Sequence, residues 1–225
     1  MSRHAAERDP DRLSSVESGP ETELKVKGSR FLAQAFPAGD ETAAKKCLDA
    51  VRKRYHDASH HCWALRLAPP ERPLERADDD GEPSGTGGVP ILGAIRRCDL
   101  FDLIVVVTRY FGGTKLGTGG LARAYAEAAR QALESAPRRE IWRESVLTIR
   151  CAYDDLGAVE AAVARAGDAI REAARSFSGV PELRLRVRKS QGRSLAEAVT
   201  DATAGRAAVD LTDDDGFPSG DTGRR

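Results

Sequence analysis

Apolar residues along this chain recur with two periods, and the changes of period mark the elements. Ser29–Phe36 alternates and predicts a strand. Asp40 then stands where a helix N-cap belongs, followed by Ala44, Cys47, Leu48, Val51 and Tyr55 at helical spacing. Lys45, Lys46, Arg52 and Lys53 fall mainly on the outer side of that helix. His61–Leu67 reads as a second strand, stopped by Pro69-Pro70, and a long polar stretch from Glu71 to Gly88 follows. Leu103–Thr108 is apolar without alternation, which predicts a strand covered on both faces. A glycine-rich turn, Gly112 to Gly120, opens an alanine-dense helix over Leu121–Ser135 that stops at Pro137.

The pattern restarts after the Pro137-Arg138-Arg139 junction. Val146–Cys151 reads as a strand, Leu156, Val159, Val163 and Ala166 as a helix, and Ala169–Phe177 and Leu183–Arg188 as two strands joined by a turn. Ser194 and Glu197 have the spacing of a capping box ahead of a helix carrying Leu195, Val199 and Ala202, and Ala207–Val209 supplies a last strand. This β-α-β-β-α-β order is that of a ferredoxin-like unit. Residues 1–23, with three basic and six acidic side chains, are expected to be a disordered leader, and residues 211–225 an acidic disordered tail. The expected domains are therefore 24–137 and 143–210. Asp78–Gly85 (DDDGEPSG) recurs near the end as Asp213–Gly220 (DDDGFPSG), an echo that tail composition explains, with competition for the loop's partner surface as the functional alternative.

Composition adjusts this picture in three ways. At 225 residues, 40% hydrophobic and 31% charged, the chain can build two compact cores under a heavily charged surface. Lys+Arg and Asp+Glu both number 35, so a globally basic nucleic-acid binder is excluded and any such binding rests on a local patch. No apolar run approaches the ~20 residues of a membrane helix, and the N-terminus has no apolar signal core, so a soluble cytoplasmic protein is expected. Cys47, Cys62, Cys98 and Cys151 lack metal-ligand spacing and read as reduced thiols. His60-His61-Cys62, near His56 and Asp57, is the only crowd of metal-binding types, with no second ligand pair, so no metal and no cofactor is assigned.

Three segments carry candidate chemistry. Asp79, Asp80, Gly81, Glu82, Ser84, Gly85 and Thr86 lie in an acidic, glycine-rich loop. It matches neither the alternating acids of an EF-hand nor the register of a nucleophile elbow. Arg109, Tyr110, Gly112, Gly113, Lys115, Gly117, Gly119, Gly120 and Arg123 form a glycine-rich passage from a buried strand into a helix. Three positive charges there, with no acid among them, suit an anion or a nucleic-acid backbone. Gly112 and Gly117 have the interval of a phosphate-binding loop, but Thr118-Gly119 replaces its Lys-Ser/Thr. Arg184, Arg186 and Arg188 alternate with Leu183, Leu185 and Val187, so three arginines share one strand face: a phosphate-contacting stripe, or a solubilising face paired with nearby acids.

The first two segments together resemble the signature of the IMPACT family. The matching runs are Asp79–Thr86, Pro90–Leu92, Val106–Gly113, Lys115–Leu121 and Arg123–Tyr125, with Lys27–Phe31 and Ala58–Cys62 upstream. Ser59 stands where threonine is usual and Gly87 where alanine is commoner. The resemblance covers residues 24–135 and implies an α+β chain. Its N-terminal domain would be of the ribosomal protein S5 domain 2-like type, shared with a domain of elongation factor G and with the GHMP kinases. The smaller C-terminal domain would be ferredoxin-like. Eukaryotic relatives regulate translation by competing for the activator of a translation-initiation-factor kinase, a role not carried to a chain with a different second domain. What the resemblance implies here is a non-enzymatic, translation-linked protein binding RNA or a ribosome-associated protein, with no membrane partner. The alternative is a phosphate- or nucleotide-binding enzyme related in fold to GHMP kinases.

Overall fold

The computed structural model describes residues 9–68 and 72–213. The chain divides into two compact units, one of residues 13–141 and one of residues 142–213 joined by residues 9–12. Both mix sheet and helix, and the chain is α+β.

The first unit contains most of β1 (Arg12–Val16), then β2 (Thr22–Val26), β3 (Ser29–Pro37), α1 (Glu41–Arg54), β4 (His60–Leu67), β5 (Leu74–Asp78), α2 (Gly88–Arg97), β6 (Leu103–Tyr110), α3 (Thr118–Ser135) and most of β7 (Arg138–Trp142). Five strands make an antiparallel sheet in the order β2-β3-β6-β4-β5, and β1 pairs with β7 separately. The unbroken apolar run of β6 has the expected cause, for its alternate residues serve two cores. Leu103, Val105 and Val107 pack under α2 and α3 with Ile91, Ile95, Tyr125 and Leu133. Ile104 and Val106 pack under α1 with Leu48, Val51 and Leu65. Asp40 caps α1, its Oδ1 accepting the Ala43 N–H at 2.6 Å.

The second unit runs β8 (Glu144–Arg150), α4 (Leu156–Ala166), β9 (Ile170–Ser176), β10 (Glu182–Arg188), α5 (Lys189–Ala202) and β11 (Ala208–Thr212). Its antiparallel sheet has the order β11-β8-β10-β9, the ferredoxin-like arrangement. Leu183, Leu185 and Val187 are fully buried against Val159 and Val163 of α4 and Leu195 and Val199 of α5.

Four expectations need correction. Residues 1–23 are not a structureless leader throughout: Arg12–Val16 is a strand, Val16 is wholly buried, and the Gly19 N–H donates to the Ala35 carbonyl. Averaged composition hides that one valine in a polar run can anchor a strand. The polar stretch after Pro70 contains β5, and α2 and β7 also lack a clear signal in the sequence. The capping box at Ser194 is not the start of α5, which begins five residues earlier at Lys189 and has Ser194 in its interior. Asp11 supplies the missing acceptor, its Oδ2 taking the Ser190 N–H at 2.9 Å. Residues 211 and 212 belong to β11, and Asp213 accepts from Ser145 and pairs with Lys189. The rest of the tail, 214–225, with most of the DDDGFPSG echo, lies outside the described residues, as do residues 1–8.

Candidate functional site

The acidic loop connects β5 to α2, and its carboxylates are spent on its own fold. Asp79 Oδ2 accepts the Gly85 N–H at 2.7 Å, and Oδ1 accepts the Gly87 and Gly88 N–H groups at 2.8 Å each. Burial works to raise the Asp79 pKa, but these three donors outweigh it and hold the carboxyl below its usual value. Asp79 thereby caps α2, which has no cap from its own Gly87. Asp80 Oδ1 meets Arg52 Nη2 at 2.6 Å and Oδ2 accepts the His61 N–H at 2.7 Å. Asp80, Gly81 and Gly85 all sit at positive φ, which makes the turn tight. Thr86 closes it by donating to the Pro83 carbonyl, while Ser84 is exposed.

Glu82 points inward. Its Oε1 accepts Arg109 Nη1 at 2.6 Å and the Tyr125 hydroxyl at 2.8 Å, and the side chains of Glu82 and Arg109 are only 3% and 6% exposed. Arg109 Nη2 reaches Ser29 Oγ at 3.3 Å, and the same Oγ accepts the Gly112 N–H. The Arg109 guanidinium lies between Phe31 and Phe111, 5.5 Å from each ring centroid. Phe31 meets Tyr125 edge-on, with centroids 5.1 Å apart. Burial, then Cys62 and Glu82, push the Tyr125 phenol far up, and burial pushes the Cys62 thiol up to about 12. That thiol is protonated at neutral pH, donates to the Asp79 carbonyl, and is no nucleophile. Among the described residues no group of three or more His, Cys, Asp or Glu side chains is arranged to hold a metal.

The glycine-rich passage leaves this buried network for the surface. Tyr110 donates to Asp57 Oδ1 at 2.8 Å. A side-chain carbon on Gly112 would lie 1.9 Å from the Gly28 carbonyl carbon, so the two backbones meet only because both residues are glycine. Gly113 and Gly117 turn the chain at φ +82° and +72°, and Gly119 and Gly120 open α3. That first turn has neither a side-chain cap nor an acidic residue. Lys115 and Arg123 are exposed and form no ion pair with any described residue. The three cations that are neighbours in sequence therefore separate in space: Arg109 is buried and neutralised, whereas Lys115 and Arg123 face solvent.

The arginine stripe of β10 lies on the face away from the helices, as the alternation predicts, but two of its three arginines are matched by acids. Arg186 lies between Glu144 and Glu172 at 3.5 and 3.4 Å. Arg188 pairs with Asp9 at 2.9 Å and stacks over Trp142, and Arg184 is likewise engaged. Ser29, Ser59 and Tyr125, which knit the two loops together, carry no chemical signal of their own in the sequence, because each partner is distant along the chain. Only their place inside the family-like runs points to them.

A two-unit α+β chain in which a self-capped acidic loop and a glycine-rich basic loop are joined by a buried carboxylate–guanidinium pair is the class that the geometry defines. Residues 27–133 match the model of the Impact N-terminal domain. The IMPACT family member YvyE of Bacillus subtilis is 30% identical over 87% of this chain and 88% of its own. A Thermus thermophilus protein, the IMPACT family member in pol 5'region, is 38% identical over 82% of this chain and 99% of its own. A solved structure described as a hypothetical protein superposes with a TM-score of 0.62 at 27% identity, covering 90% of this chain and 97% of that one. The chain belongs to the IMPACT family.

Proposed function

We propose that this is a non-enzymatic, translation-linked binding protein of the cytoplasm that contacts RNA through its glycine-rich basic loop. The observation that carries the reading is the pair of exposed cations, Lys115 and Arg123, which have no ion-pair partner among the described residues, at the start of an 18-residue helix whose first turn lacks both a side-chain cap and an acid. Backbone N–H groups at such a terminus and two exposed cations favour an anionic chain. A ribosome-associated protein presenting acidic groups would use the same cations. The fold relationship to nucleotide-binding enzymes gains little, since Asp79, Asp80 and Glu82, the carboxylates an Mg²⁺ would need, each already hold donors of the fold.

The test is RNA binding by fluorescence anisotropy across a salt series. Lys115→Ala/Arg123→Ala should weaken binding and flatten the log K against log salt slope by roughly 1.4–1.8, about 0.7–0.9 for each phosphate left without its cation. Binding that is indifferent to salt and to both substitutions would remove the proposal.

A further inference from the structure

Among the exposed large hydrophobic residues, Phe111 alone lies within the glycine-rich loop, and half of it (51%) is open to water. It is not a loose side chain. Its N–H donates to Ser59 Oγ at 3.2 Å, and the Ser59 N–H donates in turn to the Arg109 carbonyl at 2.9 Å. The ring is approached by the Arg109 guanidinium at 5.5 Å from its centroid, and that guanidinium is itself fixed by Glu82 and Ser29. A cation held over an aromatic ring secures it in place. A ring already oriented loses little entropy when a second flat group stacks on it. Lys115 follows four residues later, beyond the turn at Gly113, exposed and with no ion-pair partner among the described residues, and Arg123 lies in the second turn of α3.

Resting on the RNA reading above, the geometry points to Phe111 as a stacking platform for an unpaired base, with Lys115 and Arg123 supplying the charge for the strand's phosphates. The ligand is thus single-stranded RNA rather than duplex. Bases within a duplex are stacked on one another and offer no free face, whereas a single strand offers both base faces and phosphates. Stacking on a ring uses the face of a base rather than its edge, so tolerance of sequence goes with the proposal.

The experiment uses the full chain, a labelled oligouridine RNA of about a dozen nucleotides and an RNA duplex of the same length. Phe111→Ala and Phe111→Leu should each weaken single-strand binding roughly 5- to 100-fold, Phe111→Trp should retain it, and duplex affinity and the salt slope should not change. Leucine keeps an apolar cover over Arg109, so it separates stacking from shielding of the buried ion pair even if alanine lowers the melting temperature. Wild-type affinity in Phe111→Leu, or an equal loss on duplex, would overturn the stacking assignment. If binding still depends on Lys115 and Arg123, the RNA reading survives that outcome. Failure of the wild-type chain to bind either RNA would remove both.

Discussion

At Glu82 one buried carboxylate oxygen serves a guanidinium and a phenol, and through Ser29 the guanidinium is tied to the backbone of the glycine-rich turn. Removing the carboxylate leaves Arg109 charged and buried without its partner, a situation that costs about 3–5 kcal/mol in other buried pairs. Glu82→Ala should therefore lose stability of that order in urea denaturation, while Ser84→Ala, exposed and outside the network, should change it by less than about 0.5 kcal/mol. A Glu82→Ala loss below about 1 kcal/mol would mean that the pair contributes little. In the sequence, Arg109 is grouped with Lys115 and Arg123 because they are neighbours along the chain. Its actual counter-ion lies 27 residues earlier, and no local pattern pairs them.

Helices show the same division between near and distant causes. The first helix is legible because its cap, Asp40, and its apolar face are all local. The second escapes the sequence pattern because Gly88 and Pro90 look like breakers, yet proline is tolerated in a first turn and Asp79 satisfies the Gly87 and Gly88 N–H groups from eight and nine residues away. The start of the last helix lies five residues from its apparent capping box because its acceptor, Asp11, is 179 positions from Ser190. Asp11→Ala should cost about 1 kcal/mol. It should be read as faster hydrogen exchange at Ser190 and the first turn of that helix, with protection of β6 unchanged. Unaltered exchange at Ser190 would show that Asp11 is not the effective cap.

For the whole molecule, 35 basic and 35 acidic residues cancel, and the pI is about 6.9. Electrostatic repulsion between copies is then weakest near neutral pH. Light scattering at low ionic strength should show the strongest attraction between molecules near pH 7, relieved on moving to either side; a flat profile would contradict this. No described helix is long and apolar enough to cross a membrane. The zero sum conceals two kinds of charge, those that the fold neutralises internally, such as Arg109, Arg186 and Arg188, and those with no ion-pair partner among the described residues, such as Lys115 and Arg123. By itself the sequence determined the α+β class, the strand β6 covered on both faces, the order of the ferredoxin-like unit and the family, because periodicity and motif are local properties of a chain. Only the tertiary structure decided which charges remain available to a partner, because ion pairs form between residues that folding brings together from far apart.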